Sequence, residues 1–241
     1  MASDSVSVVG LVATLLFVLL SAVGVAAGVS WKILVIGWVA FAAMAGGALL
    51  SARLRSSGGD SVTLARNLVW GYGLSSGAMI TSASIFLIPP ALSHDTQLGG
   101  FGVAFGIVAG FVSHTVGHYL SHSDFDFDHT VVSLTAHTVA AGAIIGVVYN
   151  SMPGLGVVLG LAIVPHKGPA GYAATRRMLN NDRLPSLILV PSAGVGVTAI
   201  ASNLVSLPTS PGVNALVFGF GTGIFLHLAM DFLPRCELGS E

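Results

Sequence analysis

The chain has 241 residues, of which 54% are apolar and 8% are charged, and its formal net charge is −1. A water-soluble domain carries about 25% charged residues to keep its surface hydrated, so this composition excludes an ordinary soluble globule. The near-zero charge, without a basic cluster, also excludes a nucleic-acid-binding protein. We therefore expect an all-α protein whose helices lie in a lipid bilayer, where each helix satisfies its own backbone hydrogen bonds.

About eight apolar stretches follow one another along the chain, each long enough to cross a bilayer as a helix of roughly 20 residues. They cover residues 7–28, 33–52, 67–92, 99–121, 130–150, 154–176, 185–206 and 213–234. The breaks between them are short and rich in Ser, Gly, Pro and Asn, which are turn-forming residues. The sequence therefore predicts one transmembrane domain over residues 1–241, a polytopic bundle of about eight helices.

The basic residues predict how this bundle is oriented. Seven arginines lie in one set of alternate connections and after the last span, whereas the opposite set carries only Lys32. Because basic loops are retained on the cytoplasmic side, we expect a multi-pass protein of the cell membrane with both termini in the cytoplasm. The loop at 121–129, which is rich in His and Asp, would then be cytoplasmic as well.

Ionisable residues inside the predicted spans are candidate functional residues, because such groups are costly in lipid. Those that stand out are His137, His166, Lys167, His227 and Asp231. His137 lies about 15 residues before the turn at 152–153, and His166 lies about 13 residues after it. At about 1.5 Å per residue both lie roughly 20 Å from the turn. An antiparallel hairpin of spans five and six would therefore bring the two imidazoles to a similar depth.

Two imidazoles at one depth could bind a single borderline divalent cation such as zinc. The alternative, which the sequence leaves open, is that each imidazole forms a hydrogen bond with a neighbouring helix. The prolines of the segment 165–169 predict a break in span six that frees backbone carbonyls for a pathway. Lys167 needs an acidic partner or a water-filled cavity, and Asp231 is the acid at membrane depth that could serve.

A second group of polar residues lies near the cytoplasmic end of span four. It comprises His114, His118, His122, Asp124, Asp126, Asp128 and His129. This stripe could collect cations weakly, or it could be a solvated helix end. His114 and His118 also have the spacing of paired zinc ligands, as in an intramembrane metalloenzyme, although no general base is suitably placed.

Two motifs, AHTVAAG at 136–142 and PHKGPAG at 165–171, resemble the paired His-containing motifs of the ZIP (Zrt/Irt-like) metal transporters. The stretches 77–89 and 221–234 are similar to two further helices of that family. The resemblance implies a ZIP-like helix bundle with a metal site between the two motif helices. It implies that His137 and His166 are ligands of a first metal.

The same resemblance places Thr138 and Lys167 where ligands of a second metal would lie. Met79 and Asp231 match peripheral positions of the metal pathway. Ala141 and Ala170, however, stand where the family motifs carry carboxylates, and a pair of dications needs several carboxylates nearby. We therefore expect one mononuclear site with neutral ligands, which favours zinc over magnesium or calcium.

The function expected from the resemblance is transport of a divalent metal cation, zinc foremost, toward the cytoplasm through a site between spans five and six. Such a protein is not an enzyme and has no prosthetic group. Its partners are the divalent metal cation and the lipid bilayer, with no nucleic acid, and a homodimer is left open. Two alternatives remain: a non-transporting or altered-substrate homologue of the same fold, and an intramembrane metalloenzyme.

Overall fold

The structure is a computed structural model that describes residues 7–56, 61–121, 129–151, 157, 164–205 and 210–238. Within these segments, a number of side chains lie outside the description: those of 55–56, 61–65, 67–68, 113–114, 116–121, 129, 133, 151 and 231–238. The described residues form helices and connecting turns, without a strand, as the composition predicts.

The helices follow in chain order. They are α1 (Val8–Ala26), α2 (Trp31–Ser56), α3 (Ser61–Ser82), a π-helical turn (Ala83–Leu87), α4 (Ile88–His94), α5 (Thr96–Ser121), α6 (His129–Ser151), α7 (Lys167–Asn180), a 3₁₀ turn (Pro185–Ile188), α8 (Leu189–Val205) and α9 (Pro211–Leu238). Many of their large apolar side chains face outward, as expected of helices that meet lipid.

Six helical segments in the described part of the chain are long and apolar enough to cross a membrane. They are Val8–Ala26, Trp31–Leu54, Val69–His94, Thr130–Asn150, Pro185–Val205 and Pro211–Met230. These six correspond to predicted spans one, two, three, five, seven and eight. The chain therefore has the features of a multi-pass membrane protein.

The two remaining predicted spans fall partly on residues outside the description. Span four corresponds to α5, in which the described apolar stretch is the shorter Thr96–Val112. Most of the first half of span six, 154–176, lies outside the described residues, as does the turn at 152–153. Its second half belongs to α7, which has 14 residues.

A π-helical turn interrupts the third span. Residues Ala83–Leu87 form this wider turn immediately before α4, which begins at Ile88 and has prolines at positions 89 and 90. Proline lacks an amide hydrogen, and its ring collides with the carbonyl four residues earlier in an α-helix. The wider turn accommodates both prolines without ending the span.

Close contacts at glycines show which helices pack against each other and whether they run parallel. A Cβ at Gly106 of α5 would meet the carbonyl oxygen of Phe220 on α9, and one at Gly110 would meet the His227 imidazole. On α6, a Cβ at Gly142 would meet the carbonyl oxygen of Val195 on α8. From Gly106 to Gly110 on α5, the contacted residues on α9 also rise in number, so α5 runs parallel to α9.

The pair α6 and α8 is also parallel, because Gly146 approaches Ala199 one turn beyond the contact of Gly142. The hydroxyl of Thr198 on α8 donates to the carbonyl oxygen of Val139 at 3.0 Å and joins the two helices. Since α6 and α8 point the same way, the chain between them has to return to the end of the bundle where α6 begins. Helix α7 is the described part of that return, and it packs against α2 and α3.

Candidate functional site

The imidazoles of His137 on α6 and His166 just before α7 meet inside the bundle. Their Nε2 atoms are 3.4 Å apart, and the two side chains are 3% and 1% exposed. The similar depth predicted from the hairpin is therefore observed. A separation of 3.4 Å is longer than the 2.7–3.2 Å range of a strong hydrogen bond to nitrogen or oxygen. The two nitrogens are close neighbours that do not form a tight bond with each other.

The amine of Lys167 completes a cluster of three nitrogen atoms. Its Nζ lies 3.2 Å from Nε2 of His137, and the side chain is 1% exposed. When Lys167 is protonated its Nζ has only donors, so it donates and His137 Nε2 accepts. Among the described residues, the partner of Lys167 is therefore His137. The side chain of Asp231, which the sequence suggested as an acidic partner, lies outside the described residues.

A turn between 164 and 166 positions both His166 and Lys167. The amide of Lys167 donates to the carbonyl oxygen of Val164 at 2.8 Å, and helix α7 begins at Lys167. The hydroxyl of Ser75 on α3 donates to the carbonyl oxygen of His166 at 3.3 Å. A helix thus starts within the segment 165–169, whose prolines predict a break, and the Ser75 hydroxyl of α3 contacts its first turn at His166; residues 158–163 before it lie outside the described part of the chain.

Close packing of α2 against α7 holds this turn in place. A Cβ at Gly47 would overlap the carbonyl oxygen of Gly168, and a Cβ at Gly171 would overlap that of Met44. Glycine at both positions allows the two backbones to touch. The position of Lys167 inside the bundle thus depends on contacts between backbones and leaves little freedom for the start of α7 to shift.

Phe225 of α9 forms the wall behind the two imidazoles. Its ring centroid is 5.2 Å from that of His137 and 5.8 Å from that of His166, and both contacts are edge to face. Such contacts fix ring orientation as well as burying surface. Sequence reasoning missed Phe225 and Ser75, because a Phe and a Ser in an apolar helix carry no signal that distinguishes a site from ordinary packing.

The cluster has a lysine but no acidic side chain beside it among the described residues. The acids whose side chains are described are Asp95, which accepts from the amides of Gln97 and Leu98 at the start of α5, and Asp182, in the turn after α7. Neither carboxylate forms a contact with the cluster, and the described residues contain no group of three or more His, Cys, Asp or Glu side chains placed so that together they could hold a metal ion. The start of α7 adds the positive end of a helix dipole.

The outer nitrogens of both imidazoles lack partners among the described residues. Nδ1 of His137 and Nδ1 of His166 are buried without a hydrogen bond. A metal-binding histidine usually uses its second nitrogen to donate to a carboxylate, a carbonyl or a water molecule. The two Nδ1 atoms are therefore groups that a water molecule would satisfy.

Neither Thr138 nor Met79 forms a hydrogen bond with the three described nitrogens. The Thr138 hydroxyl donates to the carbonyl oxygen of Thr135 at 3.0 Å and packs against Gly194 on α8. Met79 is fully buried on α3, one turn beyond Ser75 and on the same face. Met79 is thus placed near the turn that holds His166, whereas Thr138 faces a different helix.

The other predicted polar residues are outside the cluster or outside the description. His227 is half-buried against Phe111, with ring centroids 4.4 Å apart, on the side of α9 that faces α5. It lies two residues, or about 200° of rotation, from Phe225. The side chains of His114, His118, His122 and His129 lie outside the described residues.

A comparison of the chain with protein-family models found no match. A comparison with curated proteins found none either. The features of the chain that bear on its function are therefore the two histidine motifs and the cluster they form.

Proposed function

We propose that this protein transports a divalent metal cation, zinc foremost, across a membrane at a mononuclear site formed by His137 and His166. One observation carries the proposal: the two Nε2 atoms lie 3.4 Å apart in the buried interior of an apolar helix bundle. In tetrahedral coordination with zinc–nitrogen distances of 2.0–2.1 Å, two imidazole nitrogens lie about 3.3 Å apart. The observed separation fits one ion held by both histidines.

The donor atoms favour a particular class of cation. Imidazole nitrogen is a ligand for zinc, copper, nickel and iron, whereas magnesium and calcium require oxygen ligands. Two imidazoles fill two of four tetrahedral positions and leave the others to water or to a passing ligand. A site with two neutral protein ligands releases its ion more readily than a closed structural site with four, which suits a transported substrate.

The wider proposal follows the resemblance to the ZIP family. The bundle has about eight spans in the cell membrane with both termini cytoplasmic, and the metal passes toward the cytoplasm. The excess of arginines on one set of connections supports the orientation. The protein acts without a prosthetic group and without catalysing a reaction, and its partners are the metal ion, the bilayer and, as a further proposal, a second copy.

Zinc uptake into proteoliposomes tests this function. We expect the wild-type protein to carry zinc inward, and replacement of both His137 and His166 by Ala to reduce uptake to the level of empty liposomes. His94→Ala is the matched control, because His94 stacks on Phe218 at the end of α4. Uptake that is unchanged in the double variant would contradict the site.

A second candidate is a homologue of the same fold that carries another substrate or none. The observation that favours it is Lys167, which places a cationic side chain on His137 where the family motif carries a metal ligand. Calorimetric titration with zinc separates the two candidates. Heat of binding above that of the double histidine variant favours zinc transport, and its absence favours the second candidate.

A further inference from the structure

Lys167 uses the same atom of His137 that a metal would need. An imidazole nitrogen has one lone pair, and on His137 Nε2 that pair accepts the hydrogen bond from Lys167 Nζ, 3.2 Å away. A metal ion bound to His137 Nε2 would take the same lone pair. The hydrogen bond and the metal bond are therefore mutually exclusive.

Charge opposes simultaneous occupancy as well. An ammonium 3.2 Å from Nε2 lies within a few ångströms of any metal ion held between the two imidazoles. Like charges at this distance repel strongly in a buried environment with low dielectric constant. No carboxylate among the described side chains approaches the cluster to offset the charge.

The position of Lys167 is costly without such a role. The side chain is buried, stands at the positive end of α7, and has one partner among the described residues for the three donor hydrogens of its ammonium. A lysine thus occupies a place where a cation is costly. A flexible side chain with four carbons can leave this position while its backbone stays fixed.

We propose that Lys167 is a tethered cation. Its ammonium occupies the His137–His166 site when no metal is bound, and the incoming metal ion displaces it. This inference rests on the proposed function and adds to it: Lys167 weakens metal binding and thereby promotes release of the ion. In the site without metal, the ammonium lies beside the two buried imidazoles in the place of the metal cation. When the metal leaves, the ammonium returns to His137.

Zinc affinity of the purified full-length protein tests the proposal. We compare wild type with Lys167→Met, which keeps an unbranched side chain one atom shorter and removes the charge, by calorimetric titration with zinc at one pH. The control is Lys32→Met, because Lys32 is the other lysine of the chain and lies at the start of α2. We expect a dissociation constant at least tenfold lower for Lys167→Met and unchanged for Lys32→Met.

Equal constants for wild type and Lys167→Met would overturn the role of Lys167 while leaving the metal site intact. Absence of zinc binding in both proteins would overturn the metal site and, with it, the proposal. If Lys167→Met does not fold, Lys167→Gln replaces it.

Wild-type protein labelled with ¹⁵N-lysine gives an independent measurement. Two Nζ resonances are expected, and Lys32→Met assigns them. Zinc should shift the Lys167 resonance and leave that of Lys32 in place, and no shift at saturating zinc would overturn the proposal.

Discussion

His137→Ala is expected to lower the free energy of unfolding by about 3 kcal/mol, and adding Lys167→Met is expected to restore most of that loss. The single change removes the hydrogen-bond acceptor of the buried Lys167 and leaves its ammonium without a partner among the described side chains. The second change removes the ammonium itself. The pair should therefore be strongly non-additive, as groups in direct contact usually are.

A double-mutant cycle measures this coupling. Unfolding of wild type, both single variants and the double variant is followed in mixed micelles without metal. Thr198→Val is the matched control, because it removes the hydroxyl that joins α8 to α6 at Val139 without touching the cluster. The losses in free energy of unfolding caused by Thr198→Val and by Lys167→Met should therefore be additive. If His137→Ala and Lys167→Met prove additive within about 0.5 kcal/mol, the hydrogen bond between these residues carries no energy.

Ala141→Asp, in the Lys167→Met background, is expected to tighten zinc binding by about 100-fold, which corresponds to about 2.7 kcal/mol. Ala141 is fully buried on α6, one turn beyond His137 and on the same face. A carboxylate there adds a charged ligand to a site that otherwise has two neutral imidazoles. Its attraction for a dication at about 4 Å exceeds the required energy even at an effective dielectric constant of 20.

The control for this substitution is Ala143→Asp. Position 143 lies on the same helix but is turned by about 240° around α6 from His137, so its carboxylate would point away from His137. Calorimetry should therefore find no tightening for Ala143→Asp. Equal effects of the two aspartates would mean that a general change in charge alters the affinity, and the site at His137 would lose its support.

The sequence predicts the pairing of the two histidines well because that prediction needs only distances along the chain. The prediction counts residues from the turn at 152–153, which lies outside the described residues, with a helical rise of about 1.5 Å per residue. The close approach of α6 to α8 at Gly142 and Gly146 also has a local origin, since small residues four apart mark a helix contact wherever the partner lies.

The partners of the cluster could not be predicted because they depend on helix rotation. A change of one residue turns a helical side chain by about 100°, so Thr138 faces Gly194 while His137 faces the cluster. Phe225 and Ser75 come from helices far along the chain, and nothing in the sequence specifies which of their faces points inward. The contact between Lys167 and His137 likewise requires the positions of α6 and α7 together.

The most direct test of the cation site is a crystal of the full chain soaked in cadmium or zinc and measured at the metal absorption edge. We predict one anomalous peak between Nε2 of His137 and Nε2 of His166, with Lys167 Nζ moved out of hydrogen-bonding distance of His137. A metal peak at other residues while the space between the two imidazoles stays empty, with Lys167 still bonded to His137, would contradict the site.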